Sequence, residues 1–103
     1  MPADNLEWLQ DWYQRQCDGK WEHSHGMNLK PLENPGWHLT INLTGTTAAD
    51  ARPQNLRLDT PCGDWLFCSI ADQRFEGSCD PRKLEQIIGV FRKWIDAPGQ
   101  THS

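Results

Sequence analysis

The sequence predicts an α+β fold, in which a helix near each end of the chain flanks an antiparallel sheet of about five strands. Apolar residues recur at helical spacing near both ends of the chain, whereas apolar and polar residues alternate in several segments between them. The alternating strands and helices of a doubly wound nucleotide-binding fold are missing. The predicted order is therefore α-β-β-β-β-β-α, in one domain over residues 1–103 with an ordered core of about residues 4–96.

The first predicted helix runs from about Asp4 to Gln16, because its apolar residues fall on one side of a helix. This stripe consists of Leu6, Trp8, Leu9, Trp12 and Tyr13. Gly19 follows the helix, at a position where a positive φ is common and glycine adopts it without strain. We therefore expect the chain to turn at "CDGKW".

The next segments predict a β-hairpin. In "GWHLTINLTG" the apolar residues alternate with polar ones, as in a strand with one buried face. The buried face is expected to contain Trp37, Leu39, Ile41 and Leu43. Pro35 and Gly36 precede this strand and suit the centre of a type II turn. The segment from Trp21 to Leu32 is then the partner strand of the hairpin.

Three further strands follow a polar loop. "NLRLDT" predicts a short strand with Leu56 and Leu58 pointing inward, and "DQ" predicts a tight turn between "DWLFCSIA" and "RFEGS". "DWLFCSIA" is apolar on both faces, which predicts that both are covered. If the helices cover one face, a loop, a second copy of the chain in a homodimer or a partner protein covers the other.

The last predicted helix has the clearest pattern. Asp80 suits the cap and Pro81 the first helical position. One apolar stripe then contains Leu84, Ile87, Ile88, Phe91, Trp94 and Ile95. We expect this stripe to pack on the sheet face that carries Trp37, Leu39, Ile41 and Leu43.

Composition excludes several classes of function. Ten basic and fourteen acidic residues give a formal net charge of −4. The sequence contains no cluster of Lys and Arg, so we expect no nucleic-acid partner. No segment reaches the ~20 apolar residues of a membrane span, and no signal peptide is visible, so we expect a cytoplasmic protein. Its cysteines, Cys17, Cys62, Cys68 and Cys79, are then expected to be free thiols.

The stretch "KWEHSHG" is the one candidate for chemistry. On a strand, His23 and His25 would share a face with Trp21, and Glu22 would lie on the opposite face. Two imidazoles on one face can bind zinc, but the further ligands that zinc needs stand at no motif spacing. Three interpretations stay open: structural histidines, contacts with a partner, and a small metal-dependent enzyme that uses His23 and His25. We expect no metal and no cofactor.

The residues resemble a known family. "LQDWYQRQCDGKWEHSHG", "LENPGW" before an alternating strand and "LTGT", then "DWLFC" and "DPRKLEQIIGVFRKW", are similar to the immunity protein 53 family of bacterial polymorphic toxin systems. The similarity extends from about Leu6 to Trp94. It implies a small cytoplasmic protein, made beside a secreted toxin, that binds this toxin and blocks it without catalytic residues.

Acidic residues and histidines are the expected contacts with the toxin. The acidic ones would suit a basic partner. We predict that they are Asp18, Glu22, His23, His25, His38 and Asp64. Glu22 is best placed among them if "KWEHSHG" is a strand.

Overall fold

The computed structural model describes residues 4–24, 26–33 and 35–96. Its helices are α1 (Asp4–Gln16), the one-turn α2 (Trp21–Ser24) and α3 (Leu84–Asp96). Its strands are β1 (Met27–Leu32), β2 (Gly36–Asn42), β3 (Gln54–Asp59), β4 (Trp65–Ala71) and β5 (Arg74–Cys79). The five strands form one antiparallel sheet in the order β1-β2-β5-β4-β3. The predicted α+β fold with flanking helices is therefore confirmed.

One face of the sheet, here called the helix face, carries the core. Cross-strand pairing places Ile41, Phe75 and Ile70 in one row of this face, and all three are buried. The ring of Phe91 in α3 packs on Phe75, with 4.9 Å between ring centroids. The last helix thus covers the predicted face, although its main contacts are with β4 and β5 rather than with β2.

The helix α1 has the predicted bounds but buries a different stripe. Leu9 and Trp12 are buried as expected, whereas Leu6 and Tyr13 are 47% and 36% exposed. The reason is that α1 packs mainly on α3, with the ring centroid of Trp12 at 5.1 Å from that of Phe91. A helix that packs on one other helix needs a narrower apolar stripe than the sequence offers.

The prediction that Trp21 begins a strand is wrong. Trp21 to Ser24 form the short helix α2, and β1 begins only at Met27. The turn before α2 contains Gly19 with a φ of 89°, as expected. Side-chain hydrogen bonds in this turn favour the helix, and they are described with the candidate surface below.

The predicted type II turn is also wrong, because Gly36 already belongs to β2 and pairs with Leu32 of β1. A Cβ atom on Gly36 would collide with the backbone carbonyl oxygen of Cys79. Glycine is therefore required here by the close approach of two strands. The expected tight turn between β4 and β5 is present, and Asp72 and Gln73 have the positive φ values, 53° and 59°, that suit such a turn.

Two expectations near β3 and α3 need correction. Leu56 and Leu58 point to the helix face as expected, opposite Cys68 and Leu66, but they are not buried: they are 43% and 39% exposed, because β3 is an edge strand. The helix α3 begins at Leu84, after Pro81, where the backbone N–H of Ile87 donates to the carbonyl of Lys83. Among the described helices, none is long and apolar enough to cross a membrane.

Candidate partner-binding surface

The second face of the sheet, here called the open face, faces away from α3. One row of this face crosses all five strands, because cross-strand pairing aligns one residue from each. From β1 to β3 the row contains Lys30, His38, Ser78, Phe67 and Arg57. The row thus joins cationic, aromatic and hydrogen-bonding groups on one surface.

The side chains of this row are held by their neighbours. The guanidinium of Arg57 lies 5.2 Å from the ring centroid of Phe67, and the ring of Trp65 lies 5.5 Å from that of Phe67. The Nδ1 atom of His38 is 2.7 Å from Oγ of Ser78, a hydrogen-bond distance. Stacked aromatic and guanidinium groups lose little side-chain entropy on binding, which suits a contact surface.

Phe67 remains 37% exposed, so none of the described loops covers the outer face of β4, and its predicted cover by a second copy or a partner protein stays a prediction. The open face carries the cations Lys30, Arg57 and Arg74. Arg74 is paired with Glu76 at 3.3 Å. Two shallow cavities of about 310 and 270 Å³ lie on this face, one beside His38 and the other beside Phe67.

The predicted contacts Asp18 and Glu22 cap the turn before α2. The carboxylate of Asp18 accepts hydrogen bonds from the backbone N–H groups of Lys20 and Trp21, at 2.9 and 3.0 Å. The carboxylate of Glu22 accepts from those of Asp18 and Gly19, at 2.9 and 2.8 Å. This reciprocal arrangement satisfies N–H groups at the start of the helix.

These hydrogen bonds also stabilise the charged carboxylates. Donation from the N–H groups of Trp21 and Lys20 lowers the pKa of Asp18. The pKa of Glu22 is lowered by its own backbone N–H and by those of Gly19 and Asp18. Both carboxylates therefore stabilise the turn before α2. The notion that Glu22 lies on the free face of a strand is wrong.

The described histidine of "KWEHSHG" does not lie on a strand face. His23 is exposed in α2, and His25 lies outside the described residues. Within residues 4–24, 26–33 and 35–96, no three His, Cys, Asp or Glu residues come together as metal ligands. The metal-dependent enzyme hypothesis required His23 on a strand, and the structure places it in a helix instead.

The remaining predicted contacts lie on other elements. His38 belongs to the open face, as described above. Asp64 is in the turn between β3 and β4, where its carboxylate accepts a hydrogen bond from Nζ of Lys83 at 3.0 Å. Lys83 also pairs with Asp80 at 3.1 Å. The predicted contacts are therefore distributed over the α1–α2 turn, the open face and the β3–β4 turn.

Comparison with known families decides the identity. The family model described as immunity protein 53 (Imm53) matches residues 6–96, most of the chain. The chain belongs to the immunity protein 53 family. Neither a curated protein nor a solved structure matches it. The resemblance inferred from the residues is confirmed, and the open face is a surface of an immunity-family protein.

The sequence did not predict that Arg57 and Phe67 of this Imm53 chain stack on each other. One signal was present, since "DWLFCSIA" is apolar on both faces and an aromatic ring on the outer face needs a neighbour. The identity of that neighbour depends on the pairing of Phe67 with Arg57 across β3 and β4. Spacing along the sequence does not determine such a register.

Proposed function

We propose that this Imm53 protein binds the toxin encoded beside it, in the cytoplasm, and neutralises the toxin by occupying its surface. The match to the immunity family over residues 6–96 carries the proposal. Inhibition by binding requires a complementary surface and no chemistry of its own. The stacked groups of the open face supply preorganised side chains of the kind that form binding hot spots.

The contacts we propose on this basis begin with His38, which lies in the same row as Phe67 and Arg57 and is separated from Phe67 by Ser78. His23 is exposed beside the capped turn and extends the set of contacts. Asp18 and Glu22 act mainly by shaping this turn. Glu22→Lys is thus expected to destabilise the turn as well as change the charge.

The function is tested by expressing the toxin domain alone and together with this chain. We expect the toxin to arrest growth and the co-expressed chain to restore it. The purified proteins should form a stable complex in size-exclusion chromatography. Continued arrest in cells that contain both folded proteins would contradict the proposed function.

The role of the open face is tested with two exposed aromatic residues. Phe67 and Tyr13 are 37% and 36% exposed and lie on different elements, β4 and α1. Phe67→Ala should weaken toxin binding about tenfold or more, as for a hot-spot residue, whereas Tyr13→Ala should have a smaller effect. Isothermal titration calorimetry measures both. Equal small losses would remove the open face from the interface.

A further inference from the structure

The two edges of the sheet differ in how well they are protected from further strand pairing. In β1, Pro31 lacks a backbone N–H, and proline discourages pairing at an edge. The other edge strand, β3, contains no proline, and each of its residues after Gln54 is exposed. An exposed edge presents unpaired N–H and C=O groups to an extended chain.

A groove runs between β3 and α3 on the helix-face side of this edge. Its volume is about 520 Å³, and Leu56, Leu58 and Leu66 line it together with Val90. Leu56 and Leu58 are 43% and 39% exposed. Alternate side chains of a strand added to β3 would point into this groove, because side chains of neighbouring strands share the same two faces.

The charge of the groove indicates the chemistry of its occupant. Among the described residues that line it, Lys93 is a cation, and the other charged residue, Arg57, borders the groove while its guanidinium stacks on Phe67 on the open face. This cation of the groove belongs to a chain with a formal net charge of −4. Charge complementarity therefore favours an acidic segment here, opposite to the basic partner that the overall charge suggests.

We propose that β3 and this groove receive an extended segment of the toxin, which adds to the sheet as a sixth strand. Apolar side chains of the segment pack on Leu56 and Leu58, and an acidic side chain lies near Lys93. Arg57 also ends the row of the open face, so the two surfaces are continuous. This inference rests on the proposed function, because the toxin is the partner in both.

The sheet offers a matched pair of leucines for the test. Leu29 and Leu56 are the two ends of one row on the helix face, and they are 48% and 43% exposed. Leu56→Glu places a negative charge in the groove and should weaken binding of the purified toxin domain at least about tenfold. Leu29→Glu makes the same change on the opposite edge and should alter affinity by less than about twofold.

A second matched pair tests the charge and does not depend on the folding of the leucine variants. Lys93 and Arg15 each lie in the last turn of a helix of 13 residues, and both are exposed. Lys93→Glu should weaken toxin binding several-fold more at low salt than at high salt. Arg15→Glu should show a smaller loss at either salt concentration.

Hydrogen exchange of the wild-type complex tests strand addition directly. Backbone amides in β3 should exchange more slowly when the toxin domain is bound, whereas those in β1 should change little. If the toxin binds but β3 exchange is unchanged and each pair of variants responds equally, this inference is overturned and the proposed function stands. If the wild-type protein does not bind the toxin, the proposed function fails, and the inference fails with it.

Discussion

At the scale of single residues, Asp80 connects the sheet to the start of the last helix. Its carboxylate accepts hydrogen bonds from the backbone N–H groups of Trp65 and Arg82, each at 2.9 Å. These two bonds, with help from Lys83, lower the pKa of Asp80 below its ordinary value of 3.8. The predicted helix cap therefore works as a clamp between β4 and the turn that precedes α3.

The lowered pKa of Asp80 predicts how the stability of the protein changes at acid pH. A carboxyl group with a lowered pKa in the folded state stabilises the protein above its ordinary pKa, here 3.8, and this stabilisation is lost as the pH falls through the folded-state pKa. We expect Asp80→Asn to lower the free energy of unfolding at neutral pH and to reduce its dependence on pH in the acid range. Denaturant titrations at several pH values measure this change.

The control is Asp11→Asn, because Asp11 is exposed on α1 and has no side-chain hydrogen bond to any described residue. It should change stability by less than about 0.5 kcal/mol, as usual for an exposed surface site. If the free energy of unfolding of Asp80→Asn depends on acid pH in the same way as that of the wild type, this role of Asp80 is contradicted.

At the scale of elements, α3 is held by a cluster of aromatic rings. Phe91 is fully buried, and its ring centroid lies 4.9 Å from that of Phe75 and 5.1 Å from that of Trp12. Phe91→Ala should therefore lower the free energy of unfolding by about 3–5 kcal/mol, because it leaves a cavity between α1, α3 and the sheet. Gln86→Ala, at an exposed position of the same helix, should cost less than about 1 kcal/mol. A loss below about 1 kcal/mol for Phe91→Ala would count against this packing.

At the scale of the whole molecule, the fold does not depend on disulfides. All four cysteines are free thiols, and burial raises the pKa of Cys68 to about 12 and that of Cys79 to about 11. The melting temperature should therefore be the same with and without reductant. A thiol reagent at neutral pH should label the exposed Cys62 quickly and the buried pair only on unfolding, because the thiolate is the reactive form. A clear loss of melting temperature on reduction would contradict this prediction.

Much of the fold could be predicted from local patterns, but the candidate surface could not. The bounds of α1 and the alternation in β2 follow from apolar spacing within a single segment. The capped helix α2 was missed because "WEHSH" alternates like a strand, and the hydrogen bonds of Asp18 and Glu22 compete with that pattern. The row that joins His38 to Arg57 depends on pairing between residues far apart in the sequence.

The sequence by itself determined the fold class, the flanking helices and the membership of the immunity protein 53 family, because these depend on periodicity and on the order of short motifs. Only the tertiary structure decided that β3 lies at the edge of the sheet and that Leu56 and Leu58 are exposed there. The same alternating leucines would be buried in a central strand. The order of strands in a sheet depends on which faces and edges can be buried together. Because all elements compete for these buried positions, the pattern of one segment does not determine the order.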